Sequence, residues 1–551
     1  MAPKYPVPMT DSRKVTCEDY RPSKVTFVGI PGVRIRARAS RWRVDAADVE
    51  QLQQLCVTSV GTAAVTNLEI RLANWSRPKG WVGAPASPGL AAYLIDPSGA
   101  GAQVVLAWRE PIDIALAIAA ALRCLRPTLG LGVGSMLTLA PGLPASAAGL
   151  AAQVHDVALP AAIVHAHLRR CDILVVPTAA PMPQIDRATT VVVSDDTWQV
   201  AGTSHLVCVD PRVHNPIGRR SSGVTEAIFA TVAGGTLKLR GTALRLDITG
   251  DLKSGDVSAL RSVGSVRAEV DLGHRWVEQL RACGIVVNAE PADQLAAQVA
   301  SVAARSAALR GSTPVAALGC WPSVSAVLLT NRDTYLTHVM GQIARLDYPD
   351  LQVVVGLHGL ELTGTRRAEL IALAGRELEF VSVPRTVPFG AALQLISQRA
   401  DGELITKIDD DDYYGANHVW DLVIARMYSG AQVVGKALDW IYVEGDDTTV
   451  FRPTYAAEKY SFFVAGGTLL IARADLDSVG GWRPVDKSVD RALLESVRAS
   501  GGLIYRTHGL GYIYVRHLAA HTAIVANEHF MTKAETTWPG LLRHVAFGTA
   551  E

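Results

Sequence analysis

From residue 324 onward the chain alternates short, solid apolar runs with longer segments whose apolar residues recur at helical spacing. The run 325–330 is β-branched and leucine-rich and predicts a strand. Turn formers occupy 331–333, and Tyr335, Val339, Ile343 and Leu346 then fall on one helical face. Pro349 stops that helix, and 351–355 predicts a second strand ending in Gly356. A third strand over 378–383 and a helix over about 390–399 lead into a fourth apolar run, Leu404, Ile405, Thr406 and Ile408. Strand and helix in alternation, with short connections, predict a mostly parallel, doubly wound α/β sheet. Ligands of such sheets bind at the carboxyl ends of the strands, so residues 330–332, 356–359 and 409–412 are expected to converge on one crevice.

The pattern before residue 310 is also α/β and Rossmann-like. Strands are expected at 24–28, 103–107, 173–176, 190–193 and 205–209, with helices at 161–170 and 274–283. The most apolar stretch, 112–150, is broken by Arg123, Arg126, Pro127 and several glycines, and so reads as a buried Ala-rich helix followed by a loop. A membrane span would need about 20 uninterrupted apolar residues, so no integral membrane segment is expected. The region divides into two lobes near 140–155, ends in a helical segment over 294–310, and is followed by a Gly/Pro/Ser-containing linker over 311–323. The expected domains are therefore 1–310, the linker, and 324–551.

At 551 residues the chain exceeds one hydrophobic core. Its 53 basic and 52 acidic residues leave no basic stripe, which argues against nucleic acid as a partner. Seven cysteines, odd in number and without a CxxC pair, read as reduced thiols. The N-terminal residues carry no apolar signal segment. Together these predict a cytoplasmic protein; assembly as a homo-oligomer is left open.

The chemistry concentrates at Asp409, Asp410, Asp411 and Asp412, four carboxylates in a row where the fourth strand runs out. Unless solvated, they must share a cation, and an all-oxygen site suits Mg²⁺ or Mn²⁺. The rival reading of the run alone is a solvated acidic turn. GIPGVR at 29–34 is no phosphate loop, because it lacks the GK[ST] ending.

In this order and spacing, the TNR loop, the Tyr-Pro-Asp step at 348–350, the DXD signature in IDDDDYYG, the AGG of 465–467, Asp490 before an apolar helix and GYIYVRHLAAHT resemble the metal-dependent, inverting family-2-like glycosyltransferases of GT-A fold. The resemblance covers roughly 321–530. It implies that Thr330, Asn331, Arg332, Asp409 and Asp410 contact the donor nucleotide, and that Asp411 and Asp412 hold the metal. It implies that His517, or its rival His521, completes the metal's coordination, and that Asp490 is the general base. Gly466 and Gly467 would let backbone approach the donor sugar, the alternative being a simple bend. Val489 stands where the family has an acidic residue. The Gly-Leu-His-Gly of 356–359 replaces its base-reading aspartate, which makes His358 a candidate nucleotide contact or a surface histidine in a glycine turn. Trp482 either stacks on the acceptor or caps the core, and Trp420 and Trp440 read as core. Lys407 is read as balancing the acidic charge.

Within the N-terminal region, Arg219, Arg220, Glu226 and the Ala-Gly-Gly of 233–235 resemble the glutamate-helix-glycine element of GT-B, spore-maturation-type modules. A structural or acceptor-positioning role is expected for it, not a second active site. The whole reads as an inverting transferase moving a sugar from a nucleotide donor, a UDP-sugar, to a hydroxyl of a glycan, lipid-linked, protein or small-molecule acceptor. The alternatives are a nucleotidyltransferase, whose glycine-rich signature TNRDTY lacks, and a non-catalytic sugar-binding scaffold.

Overall fold

The computed structural model describes residues 30–58, 64–77, 90–125, 137–139, 173–177, 189–194, 197–200, 206–209, 211–214, 227–313, 316, 321–517 and 530–550. The chain divides into two compact units, residues 1–321 with 427–430, and 322–426 with 431–551. The expected strand at 24–28, the helix at 161–170, the lobe division near 140–155 and His521 lie outside the described residues.

The first unit contains three five-stranded sheets. Arg34–Arg38, Arg41–Ala46, Ala64–Leu72, Gly101–Asp113 and Leu90–Ser98 are neighbours in that order. The helix Ile114–Leu125 is buried at every position but Arg123 and is the expected Ala-rich helix. No helix among the described residues is long and apolar enough to cross a membrane. In the second sheet Leu137–Leu139, Ile173–Pro177 and Thr189–Ser194 pair in parallel.

The third sheet corrects the sequence reading. The segment expected as a helix before Gly234 is the strand Ala227–Ala233, joined by a tight turn to the antiparallel strand Thr236–Leu239. Gly234 and Gly235 have φ of 59° and 74°, the left-handed pair that a two-residue hairpin turn requires. The strand also pairs in parallel with Ser265–Ala268. Its inward residues join a core around Trp276, Leu280 and Leu260, so tertiary pairing overrides the local helical pattern. The glutamate-helix-glycine element is therefore not formed by 227–235. Glu226, Arg219 and Arg220 lie outside the described residues.

The second unit, whose elements carry the labels used below, begins β1 (Val324–Thr330), α1 (Asp333–Arg345), β2 (Leu351–His358), α2 (Gly364–Ala374), β3 (Glu379–Val383), α3 (Phe389–Ser397) and β4 (Leu404–Ile408). It continues with β5 (Tyr413–Tyr414), α4 (His418–Ser429), β6 (Val433–Lys436), β7 (Trp440–Val443), β8 (Thr448–Phe451) and β9 (Lys459–Tyr460). The remaining elements are β10 (Leu470–Ala472), α5 (Arg473–Ser478), α6 (Val489–Ala499), β11 (Ile504–Thr507), β12 (Tyr512–Arg516) and β13 (Thr536–Pro539).

The main sheet has the order β3-β2-β1-β4-β10-β6-β11-β9 and is mostly parallel, as expected. β1 and β4 are buried at every residue, because helices cover both faces and neither face is left for polar side chains. β9 and β10 run against the others, an inversion the apolar pattern does not encode. Thr330 pairs with Leu357, and Leu328 with Ile408, so the carboxyl ends of β1, β2 and β4 lie level. α3 and α6 supply Leu393, Ile396, Leu493 and Val497 to a core over the sheet. Each such fully buried side chain contributes about 1.5–3 kcal/mol. A second, smaller sheet, β5-β12-β7-β8-β13, closes the other side of the acidic loop through β5 and β12.

Trp420 and Trp440 are core residues, as expected. α2 was not anticipated by the apolar pattern. It starts where the Thr363 hydroxyl accepts from the Arg366 N–H and ends at Gly375 in the left-handed region, a helix defined by its caps, with Ile371 and Leu373 left exposed on its outer face.

Candidate functional site

The four aspartates leave β4 and point four ways. Asp409 meets the ammonium of Lys407 at 2.5 Å. Asp410 is buried and takes the Thr330 hydroxyl and the Arg332 guanidinium on its two oxygens. Asp411 accepts from Arg332 at 2.8 Å and faces His517 Nε2 at 3.5 Å. Asp412 is buried, accepting from the Tyr512 hydroxyl at 2.6 Å and the Val515 N–H at 2.9 Å. Repulsion along the run is thus offset by these partners, Arg332 serving both Asp410 and Asp411. The solvated-turn reading does not describe this loop.

The same geometry sorts the expected ligands. Both oxygens of Asp412 serve as anchors to β12. Burial, then the charges of Asp411 and Asp409, pushes its carboxyl well above the usual range, against the pull of Tyr512 and Val515. In this arrangement Asp412 anchors the acidic loop to β12. Asp410 is raised too, by burial and partly countered by Arg332, and it ties the loop to β1 through Thr330.

Asp411 and His517 face each other on the open side of the loop. The imidazole is oriented from behind by Glu444, whose Oε2 is 3.1 Å from Nδ1, leaving Nε2 toward Asp411. One carboxylate and one imidazole suit Mn²⁺ or Mg²⁺ that draws its other ligands from phosphate oxygens and water. Among the described residues no group of three or more His, Cys, Asp or Glu is set to hold a metal, so this pair fits a substrate-completed site and not a closed protein cage.

Asp490 lies in the first turn of α6, half-buried, with its carboxylate against Gly466. A Cβ on Gly466 would overlap that carboxylate, and one on Gly467 would lie 2.7 Å from Asp409 Oδ2. The two glycines are required so that backbone can pass between the carboxylates. Lys407 bridges the two sides, its Nζ 3.4 Å from Asp490 Oδ1 and 3.5 Å from the Gly466 carbonyl. Burial lowers the Lys407 pKa, but Asp409 and Asp490 more than reverse this and hold it above the ordinary value. Burial, helped by Asp409, raises the Asp490 carboxyl, while Lys407 restrains it. Lys407 balances acidic charge as expected, for Asp490 as well as Asp409, and its place beside the acidic run was its only signal in the sequence.

Arg332, packed on the Tyr335 ring at 4.2 Å, is held charged by Asp410 and Asp411 despite burial, so the TNR loop does converge on the acidic run. With the Asn331 amide turned so that its oxygen faces Arg385, it accepts from Nη2 at 3.1 Å, which brings in a guanidinium from beyond β3 that sequence reasoning missed. Tyr335, on the apolar face of α1, packs against Arg332 and the His517 ring.

Two of the expected contacts are buried. His358 has its Nε2 2.9 Å from the Val387 carbonyl and its ring beside Phe389, so it pins β2 to the lead-in of α3 and is not a surface histidine. Trp482 is 3% exposed within the main core, donating its indole N–H to Ser397 Oγ at 2.9 Å, so it caps the core and does not reach an acceptor.

No protein-family model and no curated protein matches the chain. Among solved structures it is similar to S. aureus TarS 1-349 in complex with UDP-GlcNAc, with 15% identity, a TM-score of 0.31, and coverage of 38% of this chain and 63% of that one. Similarity to GalNAc-T7 with UDP, GalNAc and Mn²⁺ is at 13% identity and a TM-score of 0.29, over 35% of this chain and 44% of that one. The mannosyltransferase PcManGT from Pyrobaculum calidifontis, in complex with GDP-Man and Mn²⁺, shares 16% identity at a TM-score of 0.27, over 36% of this chain and 58% of that one. The chain spans under two thirds of the length of each. These neighbours are glycosyltransferases, but at such TM-scores the likeness carries no argument, and the functional reading rests on the site.

Proposed function

We propose that residues 322–551 form a GT-A-type, inverting glycosyltransferase that moves a sugar from a nucleotide-sugar donor, a UDP-sugar, to an acceptor hydroxyl. The observation that carries this reading is the Asp409–Lys407–Asp490 bridge beside the Asp411–His517 pair, at the level carboxyl ends of β1, β2 and β4. Asp409 with Asn331, Arg332 and Arg385 would bind the nucleotide. Asp411 and His517 would hold Mn²⁺ or Mg²⁺, which supplies Lewis-acid stabilisation of the diphosphate.

Asp490 takes the proton of the acceptor hydroxyl as its oxygen bonds to the anomeric carbon. The bond from that carbon to the diphosphate breaks, and the nucleoside diphosphate leaves with the electron pair. One base and one displacement invert the anomeric configuration. The raised carboxyl makes Asp490 a stronger base than an exposed aspartate, and Lys407 keeps it ionised and aimed.

Asp490→Asn is expected to leave donor affinity unchanged and to lower turnover by about 10²–10⁴-fold, as befits loss of a positioned base. The anomeric coupling constant of the product, read by NMR, should show inversion. Retention would remove the single-base mechanism.

A further inference from the structure

With Trp482 in the core, the acceptor needs another anchor. Tyr455 and Phe463 are large apolar residues left 38% and 41% exposed. Their ring centroids are 5.3 Å apart, inclined by 44°. They are held open by one buried arginine on β11. Arg506 donates through Nε to the Ala456 carbonyl at 2.9 Å and through Nη1 to the Phe463 carbonyl at 3.0 Å, and its guanidinium lies 5.4 Å from the centre of the Tyr455 ring. Both ends of the 455–463 segment are therefore fixed to the sheet, and the aromatic pair is set in place without a ligand.

The position of the pair is equally specific. Phe463 is three residues from Gly466, the glycine against the Asp490 carboxylate, and three residues span at most about 10 Å. Phe462 faces the Arg498 guanidinium at 3.9 Å, near the far end of the helix that begins beside Asp490, so 462–466 runs along α6. Two rings make too small a patch for a stable protein interface, which needs roughly 800 Å² per partner. They match one pyranose, whose polarised C–H face packs on the electron-rich face of an aromatic ring.

We propose that Tyr455 and Phe463 form a stacking platform for a sugar ring of the acceptor, so that the acceptor is a saccharide or glycoconjugate whose reacting hydroxyl lies within a residue or two of that ring. The proposal rests on the reading of Asp490 as the base.

Saturation-transfer difference NMR on the full chain with UDP and Mn²⁺ present, using a panel of free di- to tetrasaccharides of glucose, galactose and N-acetylhexosamines, tests it. At least one saccharide should bind the wild type, with saturation strongest on its ring C–H protons. Tyr455→Ala/Phe463→Ala should abolish that signal, while Tyr455→Phe and Phe463→Tyr retain it. UDP affinity, measured by calorimetry on the same samples, reports separately on the donor site. If UDP binds and no saccharide does, or if saccharide binding survives the double substitution, the platform is overturned and the donor reading stands. If UDP itself fails to bind the wild type, the donor reading falls and takes the platform with it.

Discussion

Among single residues, Lys407 carries the most information. It is one buried ammonium shared by Asp409, at 2.5 Å, and Asp490, at 3.4 Å, so the charge that neutralises the donor side also lowers the energy of the ionised base. Lys407→Met removes the cation that restrains the Asp490 carboxyl from rising further. The base must be deprotonated to act, so the acidic limb of the kcat/KM profile should move to higher pH, and activity on that limb should fall about tenfold for each pH unit by which it moves. Lys407→Arg should keep most of the wild-type profile. An unmoved acidic limb in Lys407→Met would show that Lys407 does not act through Asp490. Little of this was legible in the sequence, because Lys407 lies in a strand buried at every position and its partners stand two and 83 residues away. The acidic run itself was legible, but the division of labour within it was not. Which aspartate anchors and which faces outward depends on Tyr512, Val515 and Arg332, brought in from other strands and loops.

Between elements, α4 and β6 are joined by a second buried pair that no local pattern announces. Lys436 is fully buried, its Nζ 2.6 Å from Asp421 Oδ2 and 2.5 Å from the Leu510 carbonyl. Burial raises the Asp421 carboxyl, but Lys436 and then His508 outweigh it and hold it well below the usual range. A depressed carboxyl contributes stability that is present above its unfolded value, about 3.9, and is lost as the pH falls below it. Lys436→Met leaves Asp421 as a buried charge without its ammonium and should cost about 3–5 kcal/mol in urea unfolding. It should also flatten the loss of stability on acidification. A change below about 1 kcal/mol, the size of an exposed ion pair, would mean that the pair contributes little to the fold. Elements with an unambiguous local signal could be read directly: α1 by its helical period, and β1 and the Ala-rich helix Ile114–Leu125 as unbroken apolar runs of strand and helix length. The Ala227–Ala233 hairpin could not. Its pattern serves either period, and a remote parallel partner, Ser265–Ala268, decides it.

Across the molecule, the two units carry unequal signals. In residues 322–551 local pattern and long-range pairing agree, so the order of elements led to the crevice, and the level ends of β1, β2 and β4 follow from that order. In residues 1–321 the sheets mix parallel and antiparallel neighbours, and nothing in the described residues there repeats the carboxylate arrangement of the second unit. On the reading proposed above, the crevice is a metal-assisted nucleotide-sugar site in which Asp411 and His517 hold the cation. Isothermal titration of UDP, with GDP as comparison, into the full chain with Mn²⁺ and then with EDTA is the decisive measurement, repeated on Asp411→Asn and His517→Ala. UDP should bind in Mn²⁺, and EDTA or either substitution should weaken it at least about tenfold, equivalent to about 1.4 kcal/mol. UDP affinity indifferent to EDTA and to both substitutions, or no nucleotide binding by a folded chain, would refute the metal-assisted site.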